Sequence, residues 1–136
     1  MAAAGLKCRL LIEVDIGLHR VGTPPGEATL KLAQAIQQTP GVELAGIMGY
    51  EGHLLRIENP DEKREQIAGA MKILEGCRDL FVRDGLDCSI VSAGGTGSYQ
   101  ISSDCPGITE LQAGGGIFAD PMYQQFCGLQ GLDYAL

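Results

Sequence analysis

Basic runs, long apolar runs, paired cysteines and clustered histidines are all missing from this sequence, and each absence removes a class of function. The net charge is −7 and the 10 Lys and Arg residues are scattered. No basic stripe marks a nucleic-acid binder, and none would draw the chain to an anionic membrane surface. Any anion it holds must be met by backbone amides and a few placed side chains. No apolar run approaches the roughly 20 residues that span a bilayer. Met1-Ala2-Ala3-Ala4-Gly5 has neither a charged leader segment nor a long apolar stretch, so no secretory signal is expected and the chain reads as cytoplasmic. The cysteines (Cys8, Cys77, Cys88, Cys105 and Cys127) are odd in number and form no C-x-x-C. That fits reduced thiols rather than a disulfide framework. Cys8, Cys77 and Cys88 fall in apolar patterns and are expected in the core. The two histidines, His19 and His53, have no second ligand-type residue two to four positions on, so a metal centre is not supported.

What remains is an ordinary globular composition, 45% apolar and 20% charged over 136 residues. A chain near this length buries about 70% of its unfolded surface, enough for one real core. Cys8 to Val14 is short, apolar and β-branched, the pattern of a strand buried on both faces. After a glycine-bearing turn, Asp15 to Gly22, Thr23 is placed to cap a helix, with Pro24 and Pro25 in its first positions and Glu27 in its first turn. Ala28, Leu32, Ala35 and Ile36 recur at helical spacing, and Pro40-Gly41 ends the segment. Val42 to Met48 reads as a second strand, followed by the loop Gly49 to His53. Asn59-Pro60 opens a second helix, with Asp61 and Glu62 at its positive end. Its apolar stripe is Ile67, Met71, Leu74, Cys77 and Phe81, and Asp84-Gly85 closes it. Leu86 to Val91 and Ile108 to Gln112 are third and fourth strands. Each is followed by a glycine turn, Ser92 to Gly97 and Ala113 to Gly116, with a short helix after the first.

Strands alternating with helices predict an α/β fold with a parallel sheet and right-handed crossovers. In such sheets functional loops gather at the C-terminal ends of the strands. Every unusual motif here falls at such an end: D-I-G-L-H-R-V-G, G-Y-E-G-H, S-A-G-G-T-G and Q-A-G-G-G. The glycines of Ser92–Gly97 let the backbone approach a ligand, so that successive N–H groups converge on an anion. Ser92, Thr96 and Ser98 add hydroxyl donors. The same glycines would also serve a tight turn alone. Gly114-Gly115-Gly116 on the next strand completes a pair of late loops of the kind from which barrel enzymes build a phosphate site. The first turn is not a Walker A loop, and no full G-x-G-x-x-G with a downstream acid points to a dinucleotide. Arg20 is either a cation aimed into the rim or one half of a surface salt bridge. Tyr50 is suited to stacking on a planar ligand or to acid–base work, and His53 to a proton relay or to plain backbone bonding.

Taken together, E-V-D-I-G-L-H-R-V-G (Glu13 to Gly22), G-I-M-G-Y-E-G-H (Gly46 to His53), S-A-G-G-T-G-S-Y (Ser92 to Tyr99) and T-E-L-Q-A-G-G-G-I-F (Thr109 to Phe118) resemble the fold-type III pyridoxal-phosphate-dependent enzymes. The likeness is to the D-threonine aldolase and D-serine dehydratase branch, related to the alanine racemase N-terminal barrel. It implies a partial (β/α)8 TIM-type barrel of about four parallel strands with intervening helices. It implies pyridoxal 5'-phosphate, with Arg20 approaching the pyridine side, Tyr50 lining the ring pocket, and Thr96, Gly114 and Gly115 holding the phosphate. The substrate implied is a small D-amino acid, cleaved by a retro-aldol step, with dehydration or racemisation as alternatives. A homodimer is left open.

The family's Schiff-base lysine belongs to an earlier strand. Lys7 precedes its strand and Lys31, Lys63 and Lys72 lie on helices, so no catalytic residue is assigned. The divalent metal of the full-length family has its ligands in a second domain that is also not seen here. Residues 1–136 are therefore expected to be a single internal segment of a cofactor-binding barrel domain, inactive alone. A non-catalytic phosphate-ligand module, and a half-barrel that survives by pairing with another chain, are the competing readings.

Overall fold

The computed structural model describes residues 5–134. Four parallel strands form one sheet in the order β1-β2-β3-β4: β1 (Cys8–Glu13), β2 (Val42–Met48), β3 (Ile90–Ala93) and β4 (Glu110–Leu111). Helices α1 (Glu27–Gln38), α2 (Pro60–Arg83), α3 (Tyr99–Ser102) and α4 (Pro121–Cys127) follow them in turn. Short 3-10 turns occupy Gly52–Leu54 and Gly114–Ile117. Sequential order without reversal is the winding of a (β/α) barrel rather than of a doubly wound sheet. The expected α/β class and parallel strands are both present.

The core lies between the sheet and α1 and α2. Ile12 from β1 and Val14 just past it, Leu44 and Ile47 from β2, and Val91 and Ala93 from β3 meet Ile67, Met71, Leu74, Cys77 and Phe81 from α2. Period-2 alternation then turns Glu13, Met48 and Ser92 to the opposite face. Leu44 and Ile47, three apart, share the helix-facing side because the β1–β2 register shifts between Leu10 and Leu11. Gly46, at φ +149°, sits in that irregularity, and a Cβ there would run into the Ile90 carbonyl oxygen.

Helix α2 follows the sequence reading closely. The Asn59 side chain accepts hydrogen bonds from the amides of Asp61 (3.0 Å) and Glu62 (3.1 Å), and every residue of the expected stripe is buried. Helix α1 departs from it. Thr23 does not cap; its amide donates to the Glu13 carbonyl at 2.8 Å and its own carbonyl accepts from Asp15 at 2.9 Å. That makes a one-residue bridge to Val14 and delays the helix to Glu27. Pro24 and Pro25 therefore precede it. The buried face is Thr29, Ala33 and Ile36, while Leu32 is exposed. Thr29 can face inward because its hydroxyl donates to the Pro24 carbonyl at 2.7 Å.

Strands β3 and β4 are also shorter than expected. Leu86 lies just past α2 and closes it, its amide donating to the Phe81 carbonyl at 2.9 Å. At Thr109 the backbone amide still donates to the Val91 carbonyl at 2.9 Å, but the Val91 amide donates to the side-chain Oγ1, also at 2.9 Å. All five cysteines are free. Cys77 is buried as expected, whereas Cys8 and Cys88 are half-buried, Cys88 packed against the core's edge. Burial pushes the Cys88 thiol up to about 11, which makes it unreactive near neutral pH. No helix among the described residues is long and apolar enough to cross a membrane.

Candidate functional site

Past the C-terminal ends of the strands lies a cavity of about 260 Å³. Glu13, Arg20, Met48, Tyr50, Gly95, Thr96, Gln112, Gly115 and Tyr123 line it, so four of the five residues singled out from the sequence meet at one place. Gly114 is the exception. It sits at the outer edge of its turn with open space around its Cβ position, and its amide is engaged by the Gln112 carbonyl at 2.8 Å.

Arg20 is delivered by a loop that Asp15 organises. One Asp15 oxygen accepts from the amides of Gly17 (3.0 Å) and His19 (2.9 Å), and the other meets His19 Nδ1 at 2.8 Å. The His19 backbone N–H, then its ring and the Gly17 amide, hold the Asp15 carboxyl down at about 2. The loop closes through His19 at φ +54°. Arg20 does not make a surface salt bridge among the described ion pairs. Its guanidinium lies 5.5 Å from the centroid of the Tyr50 ring, a cation–π contact.

Tyr50 stands at the end of β2, its ring packed between two glycines. A Cβ on Gly95 would come within 2.7 Å of the ring, and one on Gly52 would also strike it. Neither glycine has a left-handed φ, so space and not backbone freedom requires them. Burial, then the nearby Tyr123 and Glu51, push the Tyr50 phenol above its ordinary range. His53 does not line the cavity. It is exposed and leans on Gly17, where a Cβ would lie 2.7 Å from Nε2.

The floor is the turn after β3. Gly95, Thr96 and Gly97 are buried, yet among the described residues none of their amides donates to a protein acceptor. The Thr96 hydroxyl, buried as well, has no partner either. Buried polar groups are almost always hydrogen-bonded, so these donors stand out as unpaired among the described residues. Ser92 and Ser98 do not join them: Ser92 Oγ donates to Glu110 at 2.7 Å and Ser98 Oγ to the Gly95 carbonyl at 3.2 Å. Gly115 completes the floor, and a side chain there would collide with the Tyr123 hydroxyl. Arg20 is the one basic side chain in the lining and Glu13 the one carboxylate. Among the described residues no three His, Cys, Asp or Glu side chains gather closely enough to hold a metal ion.

Several lining residues were not singled out from the sequence. Glu13 and Gln112 stood inside the quoted motifs, and strict alternation along β1 places Glu13 on the cavity face. Tyr123 arrives on α4 and carried no signal.

Residues 1–120 match the family of the alanine racemase N-terminal domain. The chain is 34% identical over 123 residues to a D-threonine aldolase of Arthrobacter sp, covering 90% of this chain and 32% of that protein. It is 28% identical over 127 residues to a 3-hydroxy-D-aspartate aldolase of Paracoccus denitrificans (strain Pd 1222), covering 93% and 33%. The crystal structure of a D-threonine aldolase from Filomicrobium marinum superposes with a TM-score of 0.89 at 30% identity, covering 98% of this chain and 36% of that one. The chain spans about a third of the length of these relatives. With residues 1–120 of the 136 matched, the chain belongs to the alanine racemase N-terminal domain family.

Proposed function

We propose that this chain forms the phosphate-holding floor and one ring-holding wall of a pyridoxal-phosphate site in a D-amino-acid lyase of the D-threonine aldolase kind. The observation that carries this is the pair of buried, unpaired donors at Gly95 and Thr96, which line one cavity with Arg20 and Tyr50, with the unpaired Gly97 amide next along the same turn. A phosphate fits that floor: it is small, anionic and tolerant of convergent amides. Thr96, Gly95 and Gly115 are the residues that would hold it. Tyr50 and Arg20, held face to face, would bound the pyridine ring from the side. When bound, pyridoxal phosphate supplies an electron sink for a bond breaking at the α-carbon of an amino acid. The chain's own contribution is to bind, to orient and to exclude water beneath Tyr50. None of its four lysines lines the cavity, so residues 1–136 act here as a single cofactor-binding segment without turnover of their own. D-3-hydroxy amino acids are the substrate class that the aldolase relatives suggest.

Calorimetric titration tests the reading. Pyridoxal phosphate is expected to bind saturably. Thr96→Val, which removes a hydrogen bond to a charged group worth about 1.5–3 kcal/mol, should weaken binding about tenfold to a hundredfold. Absence of binding at millimolar cofactor, or an unchanged affinity in the variant, contradicts it.

A further inference from the structure

Glu51 is fully buried, and so is Ser102. Ser102 Oγ donates to Glu51 Oε1 at 2.6 Å, while Glu51 Oε2 has no partner among the described residues. None of the described ion pairs includes Glu51. Burying a carboxylate without a cation is costly, and an apolar side chain of similar volume would stabilise the fold more. What the carboxylate does provide is the bond to Ser102, and the ends of that bond are informative.

Glu51 directly follows Tyr50 and starts the 3-10 turn, its carbonyl accepting from Leu54 at 3.0 Å. Ser102 closes α3, which grows out of the glycine turn: the Tyr99 amide donates to the Gly95 carbonyl at 2.9 Å and the Ser102 amide to Ser98 at 3.0 Å. On the other side of Tyr50, the Gly49 amide donates to the Ser92 carbonyl at 3.0 Å. Tyr50 is thus flanked by two anchors to the β3–α3 segment, one through backbone and one through Glu51. Its ring then returns to pack on Gly95. The contacts close a circuit from Gly95 through α3, Ser102, Glu51 and Tyr50 back to Gly95.

We propose that Glu51 is a positioning residue: its buried bond to Ser102 sets the Tyr50 wall against the phosphate-holding turn. This rests on the pyridoxal-phosphate reading of the cavity. Glu51 touches neither ring nor phosphate; it acts through Tyr50.

Glu51→Ala, Glu51→Gln and Ser102→Ala test it with two readouts. The first is amide hydrogen exchange without any ligand. Glu51→Ala and Ser102→Ala should raise exchange across residues 49–54 by about tenfold, the loss of one buried hydrogen bond, with α1 and α2 still protected. Glu51→Gln, which keeps an acceptor for Ser102, should stay near the unaltered chain. The second readout is affinity. The two alanine variants should lose about tenfold for pyridoxal phosphate, which needs the wall, yet keep their affinity for inorganic phosphate, which needs only the floor. Unchanged exchange at 49–54 in Ser102→Ala, or equal losses for both ligands, overturns the proposal. If the unaltered chain takes no pyridoxal phosphate, the cofactor reading fails, and the exchange comparison still decides whether Glu51 holds the loop.

Discussion

The Thr96 hydroxyl lies buried with no partner among the described residues, and a buried hydroxyl left unsatisfied by the protein costs a fold about 1–3 kcal/mol. Thr96→Val should therefore melt no lower than the unaltered chain, while binding pyridoxal phosphate less well. A melting curve beside the titration checks both signs, and a clear loss of stability would mean that the hydroxyl serves the fold. Gly95→Ala should keep the fold but push the Tyr50 ring aside, since its Cβ would lie 2.7 Å from that ring. Cofactor affinity should fall with little change in far-ultraviolet circular dichroism. Asp15 gives a pH dependence with a definite sign. Its folded carboxyl sits at about 2, against an ordinary 3.8, so its contribution is present above pH 3.8 and is lost as pH falls toward 2. Urea midpoints measured from pH 5 down to pH 2 should drop less steeply for Asp15→Asn than for the unaltered chain.

At the scale of elements, local chemistry decided what the sequence could disclose. Helix α2 was legible because Asn59, Pro60 and the stripe from Ile67 to Phe81 all point the same way, and each does in the fold what its type suggests. Asn59→Ala should lower stability by about 1 kcal/mol and leave cofactor affinity alone; chemical denaturation measures the first and titration the second. The start of α1 was not legible. Thr23 has the chemistry of a cap, but a long-range pairing with Val14 takes its backbone first. Leu86 looks like a strand residue and instead ends α2 through Phe81. The inward face of Thr29 depends on the Pro24 carbonyl, a contact that hydrophobic periodicity does not register.

At the scale of the whole molecule, sequential parallel strands put four distant motifs on one rim, and that convergence was readable from their order alone. Arg20, Tyr50, Thr96 and Gly115 do meet around one cavity. Gly114 does not, because one glycine of the triplet faces outward and only the fold says which. Tyr123 has no signal, being brought in by a short helix late in the chain, and Glu51, though inside G-Y-E-G-H, gains a role only when Ser102 is seen beside it. Lysine placement sets a limit on chemistry. Lys63 is buried, donating to the Leu55 and Cys127 carbonyls at 3.0 and 3.4 Å, and no lysine lines the cavity. Borohydride treatment with pyridoxal phosphate should therefore give no stoichiometric adduct at a single lysine by mass spectrometry. The central claim is that the turn after β3 seats the cofactor's phosphate, and an amide NMR titration reads that turn directly. Pyridoxal phosphate should shift the amides of Gly95, Thr96 and Gly97 saturably, while pyridoxal, which lacks the phosphate, should leave them in place. Equal shifts with both compounds, or shifts confined to other loops, would contradict it.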